Sequence, residues 1–220
     1  MSRSRSELWG PLAGIAFVVL FIVGLSLNNQ PSADDSAAKV ISFYNDGGNR
    51  AQLIISSYLL WLGALFFFWF VAGLRARLTA VESPPARLTS IVFGGGLVFI
   101  AMLMAAAACF ASVAGDITFG DEKFVGVDGA RFIPELGYPL LIIGGMFSAI
   151  AMIDAASILI VRTKVLPTWI GYFGFVAAVA LLFAGFFLPM IFFLLWIVFV
   201  SVAMWRAPAA VTPAAPPGLT

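Results

Sequence analysis

From Trp169 to Trp205 the chain carries no charged residue. Wound as a single helix at 1.5 Å per residue, these about 37 residues would reach roughly 55 Å, nearly twice the about 30 Å of a bilayer's hydrocarbon core. One membrane span cannot absorb that length. Gly185 and Pro189 stand near the middle of the run and are the residues that let a helix stop and the chain reverse. The run is therefore expected to fold as a hairpin, with arms over 169–186 and 189–205.

The rest of the chain repeats the pattern. Further apolar stretches predict spans over about 8–27, 51–74, 89–113 and 138–161, which makes an all-α membrane protein, a bundle of six transmembrane helices. Composition agrees: 62% of the 220 residues are hydrophobic and 10% are charged, against about half and a quarter in soluble domains. Residues 1–7 are polar and basic, and a basic start followed by an apolar run also suits a signal peptide. Leu27-Asn28-Asn29-Gln30-Pro31 offers no small-residue cleavage site, so an uncleaved anchor is expected. The Pro/Ala-rich segment 207–220 reads as a disordered tail.

Between the spans, Ala37, Val40, Ile41 and Tyr44 recur at helical spacing, with Asp34, Asp35 and Ser36 as caps in front and Gly47-Gly48 as a stop behind. A short amphipathic helix lying on the bundle's outer surface is expected there. The link Thr79–Leu88 holds Pro84 and Pro85, which exclude helix. Gly94-Gly95-Gly96 and Ala105–Ala108 give the third span a surface of small residues for close packing. Residues 114–135 read as a long polar loop, and Pro139 suits the first turn of the fourth span.

Basic residues set the orientation. With the N-terminus inside, cytoplasmic segments hold Arg3, Arg5, Arg75, Arg77, Arg87, Arg162, Lys164 and Arg206, while outer segments hold Lys39, Arg50, Lys123 and Arg131. Both termini are thus expected in the cytoplasm. Trp9, Trp169 and Trp205 fall at the expected cytoplasmic boundaries, where aromatic belts form.

Leu166-Pro167-Thr168-Trp169-Ile170-Gly171 links spans four and five. Glu82 and Arg87-Leu88 precede the glycine-rich third span, and Leu195-Trp196 is followed by Ser201. In these motifs and their spacing the chain resembles a group of small bacterial multi-pass membrane proteins of uncharacterised function, common in high-GC genomes. The resemblance covers most of the chain, implies a helical bundle in the cytoplasmic (inner) membrane of a bacterium, and carries over no catalytic residue.

Several chemistries are excluded by residue type. There is no histidine, so histidine-ligated haem, histidine metal sites and a histidine general base are absent. Cys109 is the single cysteine, which forbids an internal disulfide or a cysteine-rich zinc site. Lys39, Lys123 and Lys164 all fall outside the expected spans, against a retinal-type Schiff base. The net charge of +1 offers nucleic acid no field. No cofactor and no metal site is expected.

Asp154 is the one ionisable residue well inside an expected span, about seven residues, or roughly 10 Å, from Arg162. A charged carboxylate at that depth costs about 2.5–3.5 kcal/mol on insertion scales. A proton, a basic partner, hydroxyl donors or water must compensate. Tyr172, Ser90 and Ser201 share its half of the bundle and could donate, while Arg75, Arg162 and Arg206 stand at the rim. Asp154 then either glues helices together, holds a proton or cation, or meets a partner. Asp116, Asp121, Glu122 and Asp128 match no EF-hand spacing and read as a solvated acidic loop. Ser56 and Ser57 fit interhelical hydrogen bonds.

Three functions remain. The first is a non-enzymatic membrane component that binds a membrane-protein partner or forms a homo-oligomer. The second is a small transporter or channel using Asp154. The third, ranked last, is an intramembrane enzyme acting on lipid. The first is the expectation.

Overall fold

A computed structural model describes residues 5–32, 34–120 and 126–206, and among these every regular element is helical. The helices are α1 (Arg5–Leu27), α2 (Ala37–Asn45), α3 (Gly47–Thr79), α4 (Arg87–Phe119), α5 (Val127–Glu135), α6 (Gly137–Pro139), α7 (Met146–Thr163), α8 (Thr168–Leu181) and α9 (Met190–Arg206). Four stretches are long and apolar enough to cross a membrane: Trp9–Leu27, Gly47–Thr79, Arg87–Phe119 and the run Val127–Thr163. The apolar α8 and α9 are shorter, at 14 and 17 residues. Large apolar side chains also cover the bundle's outside, among them Leu65, Trp69, Val98, Phe147 and Val176. Water would not tolerate such a surface, and with the four long helices it points to a membrane protein.

Helix α1 packs on α3, α3 on α4, α4 on α7, α7 on α8, α8 on α9, and α9 on α1, so the helices close into a ring. Phenylalanines fill its middle. Phe17, Phe67, Phe99 and Phe193 come from α1, α3, α4 and α9, and all are fully buried. Neighbouring rings lie 4.5 Å (Phe17–Phe67), 4.9 Å (Phe67–Phe99) and 5.1 Å (Phe99–Phe193) apart by centroid. Phe17–Phe99 at 6.0 Å and Phe67–Phe193 at 6.1 Å join helices that are not neighbours in the ring, contacts available only across its centre. Glycines set the spacing between adjacent helices. Gly10 and Gly73 let α1 and α3 nearly touch, since a methyl group on Gly73 would meet the Gly10 Cα at 3.1 Å.

At one end α3 and α4 project past the main core and carry a second, smaller one: Val40 and Tyr44 of α2, Leu53 of α3, Val113 and Ala114 of α4, and Ala130 of α5. Helix α2 fills the place expected over residues 36–46, and Ser36 caps it by accepting the Lys39 N–H at 3.3 Å. Val40 and Tyr44 face inward, whereas Ala37 and Ile41 are exposed. Gly47 and Gly48 do not end this helix but start α3, because Asp46 caps the new helix through the Asn49 N–H at 2.9 Å. Arg50 ties the layers together, donating from Nη1 to the Tyr44 carbonyl at 2.5 Å and from Nε to Thr118 Oγ1 at 3.3 Å. The Arg131 guanidinium donates to the Asp35 carbonyl.

The segment expected as a polar loop over 114–135 is partly helical. Helix α4 runs on to Phe119 and α5 begins at Val127, because the apolar side chains of the small core hold the turns beyond the hydrophobic span. Asp121, Glu122 and Lys123 lie outside the described residues, as does the expected tail. Pro139 lies in the first turn of α6 (Gly137–Pro139), but that helix does not open a separate span. It sits in a path continuing from α5, where Leu140 N–H reaches the Leu136 carbonyl at 3.3 Å and the next turn, Leu140–Gly145, is a π-helix. A proline supplies no N–H and crowds the carbonyl four residues back, and the turn that follows Pro139 is the wider one. The expected reversal near Gly185 and Pro189 is present as a short 3-10 turn, Ala184–Phe186, between α8 and α9.

At the other end, Glu82 caps α4 from the preceding link. Its carboxylate accepts the N–H groups of Leu88 and Thr89 at 2.9 Å each, and the Thr89 hydroxyl at 2.5 Å. Ala86, at the cap position itself, has no side chain that could do so. Partial burial pushes the Glu82 carboxyl up, but the hydrogen bonds from Thr89 and Leu88 outweigh it and hold the group below its ordinary value. Such a carboxylate stabilises the fold above its unfolded pKa, and that stabilisation disappears as pH falls through the lower folded value. Glu82→Ala should therefore cost about 0.5–2 kcal/mol near neutral pH, the range for a lost cap. In denaturant unfolding of the purified protein, the gap from the parent should close on acidification. A gap unchanged by pH would assign the loss to packing.

A second prediction concerns α8. A methyl group on Gly174 would strike Ser157 Oγ and come within 2.7 Å of Trp196 Nε1. Gly174→Ala should destabilise by about 1–3 kcal/mol, as overpacking does, and Ser157→Ala in the same chain should recover part of the loss.

Candidate functional site

Helix α7 shows two faces. Met152, Ile153, Ala156, Ser157 and Ile160 point into the bundle and are buried. Along the other face run Phe147, Ala151, Asp154, Ile158 and Arg162, at helical spacing and all at least half exposed or partly so. Asp154 thus lies on the outward stripe of α7, half-buried between apolar neighbours. It makes no hydrogen bond and no ion pair among the described residues.

The residues expected to share a site with Asp154 are not gathered around it. Tyr172 is 60% exposed on the outer face of α8. Ser90 is exposed near the start of α4, and its hydroxyl donates back to the Ala86 carbonyl at 2.9 Å. Ser201 is fully buried in α9 with its Oγ pressed against Gly14 of α1 and no hydrogen-bond partner. No hydrogen bond joins any two of these four residues. Sequence reasoning put the four in the same half of the expected spans, and that leaves the angle around each helix undetermined.

The rim cations also stay away from Asp154. The Arg75 guanidinium lies over the Phe93 ring, 4.3 Å from its centroid, while Arg162 and Arg206 are exposed. Arg77 reaches across from α3 to the Met204 carbonyl of α9 at 2.8 Å. Arg75, Arg77, Arg87, Arg162, Lys164 and Arg206 therefore stand at one end of the bundle, where the described acids are Glu7 and Glu82. Asp34, Asp35, Asp46, Asp116, Asp128 and Glu135 stand at the end with α2 and α5. There, Lys39 pairs with Asp35 at 2.8 Å, and Asp128 occupies the first turn of α5, where a negative charge suits the helix dipole. Among the described residues no three acidic or sulfur-bearing groups converge closely enough to hold a metal ion.

The interior holds polar groups that sequence reasoning passed over. Ser157 Oγ and Trp196 Nε1 are buried, lack hydrogen-bond partners and face the same notch beside Gly174. Only the helical register could have flagged them, since Ser157 is three residues from Asp154 yet turned inward. Ser56 does what was expected of it: its hydroxyl donates to the Gly24 carbonyl of α1 at 2.7 Å. Burial, with Tyr138 nearby, pushes the Tyr44 phenol up to about 12, so it stays neutral in the small core.

An unbonded carboxylate on an outward stripe makes a clear prediction. If Asp154 holds no helix in place, Asp154→Leu should leave the isolated protein as stable as the parent or more so, because the substitution removes a poorly solvated polar group. A loss above about 1 kcal/mol in detergent unfolding would instead identify a structural hydrogen bond to this residue. Compared with known proteins, the chain matches no family model, no curated protein and no solved structure.

Proposed function

We propose that this chain is a non-enzymatic component of a bacterial cytoplasmic membrane, and that it docks a helix of another membrane protein, or of a second copy, on the outer face of α7 around Asp154. In this reading the bundle spans the bilayer six times, α8 and α9 included. The basic end and both termini lie in the cytoplasm, and α2 and α5 lie outside. The charge asymmetry between the two ends supports that orientation. The resemblance to small bacterial multi-pass proteins supports the setting.

The observation that carries the reading is the position of Asp154. A carboxylate facing lipid at that depth is costly, and no group of its own bundle relieves it. A neighbouring helix bringing an arginine, lysine or hydroxyl donor would. Ala151 beside it lets a second backbone approach closely, as small residues do at membrane helix interfaces. A transport role for Asp154 would need water to reach it through the bundle. The four phenylalanine rings at the axis support docking over transport.

Cysteine crosslinking in cell membranes tests this. In a Cys109→Ala background, Ile158→Cys on the α7 stripe should crosslink efficiently, and Leu65→Cys on the outer face of α3 should not. The mass of the adduct separates a second copy from a different protein. Adding Asp154→Leu should lower the yield severalfold. Equal yields from Ile158→Cys and Leu65→Cys would sink the docking reading, and Asp154-dependent proton flux in liposomes would replace it with transport.

A further inference from the structure

Between α3 and α4, at the basic end, lies an open groove of about 620 Å3. Its walls are Phe68, Ala72, Ala76 and Phe93, and Arg75 and Thr79 stand at its mouth. Along α3 the residues follow in order of depth: Phe68 and Ala72 toward the middle of the membrane-crossing stretch, Thr79 at the helix end. The groove thus grades from aromatic and methyl surface to a cationic rim.

Arg75 sets its chemistry. The side chain is exposed, and its guanidinium forms no hydrogen bond or ion pair among the described residues. It rests on the Phe93 face at 4.3 Å, a contact that uses the guanidinium plane and leaves the N–H groups at its edge free. Those edge groups suit two phosphate oxygens at once. Glu82, the acid that follows Arg75 in the chain, does not compete, because its carboxylate is committed to Leu88 and Thr89.

We infer that this groove binds one anionic phospholipid of the adjoining leaflet, its phosphate on Arg75 and an acyl chain along Ala72, Ala76 and Phe68. Charge complementarity selects the occupant. A zwitterionic lipid has the same phosphate but brings its own cation, and a partner helix that offered only apolar side chains would leave Arg75 unmatched. The site is separate from the α7 face, so it stands or falls independently of the docking reading.

Photocrosslinking locates the lipid. The full-length protein is reconstituted with photoactivatable phosphatidylglycerol or phosphatidylcholine of identical chains, and crosslinked peptides are mapped by mass spectrometry. Phosphatidylglycerol should label residues 68–80 and the segment around Phe93 roughly fivefold more than phosphatidylcholine, the bias one arginine supplies near an anionic headgroup. Arg75→Gln should bring the two lipids level in that segment. Ala76→Leu, at an exposed position where leucine is nearly as good a helix former as alanine, should suppress labelling by both by filling the groove. Equal labelling in the parent would overturn the proposal. So would a preference that survives Arg75→Gln, or a groove labelled by neither lipid.

Discussion

Contact among Phe17, Phe67, Phe99 and Phe193 sets the diameter of the bundle. A ring of helices leaves space at its axis, and lipid-facing side chains cannot be spared to fill it. Four aromatic rings, one each from α1, α3, α4 and α9, occupy that space and touch across it. Each such pair contributes about 0.5–1.5 kcal/mol beyond area burial. The hydrophobic effect gives helices in a membrane little reason to associate, so van der Waals packing of this kind must hold them. The glycines then follow as a consequence. With the axis filled by large rings, adjacent helices close up only where a residue without a side chain faces its neighbour, as Gly10 faces Gly73 and Gly174 admits Ser157 and Trp196.

Much of this arrangement was legible from residue order, because hydrophobic length and helix punctuation are properties of the chain alone. The reversal near Gly185 and Pro189, the proline break before α4 and the cap at Ser36 are all local. The misreadings share a different cause. Helices α3 and α4 were expected to end with their apolar stretches, but each continues where α2 and α5 supply a second core. Pro139 stands in the first turn of α6 as expected, yet that helix follows directly on α5 and passes into a π-helical turn rather than opening a separate span. For Asp154, Tyr172, Ser90 and Ser201 the sequence fixes height along the bundle and not the direction faced. Direction depends on which neighbour each helix meets, and that is decided by the whole ring.

The polar residues are sorted with similar economy. Interior hydroxyls are spent on backbone carbonyls where one is within reach, as with Ser56 and Gly24. Glu82 neutralises the exposed N–H groups of α4 and so is withdrawn from the cations around it. Besides the buried Ser157, Trp196 and Ser201 groups, two charged groups on the outer faces stand unmatched: a carboxylate on the α7 stripe, and a guanidinium stacked on Phe93 at the opposite flank of α4. One faces the side where a helix could lie and the other the side where a headgroup could.

The α8–α9 hairpin has a further implication. At 1.5 Å per residue its 14-residue first arm rises about 21 Å, well short of an average hydrocarbon thickness of about 30 Å. Its tip, from Phe183 to Leu188, has only apolar side chains and exposes Phe186 at 78%. The tip's backbone is also largely self-contained, with Phe183, Phe186, Phe187 and Leu188 donating their N–H groups within the turn. Such a tip is soluble in acyl chains and poorly so in water. In the six-span reading proposed above, the wall that α8 forms is shorter than those of the long helices, and lipids beside it would compress or tilt to meet it. Hydrophobic mismatch confined to one side would then turn the bundle into an oriented object, drawn toward thin membrane and toward any neighbour that thins it.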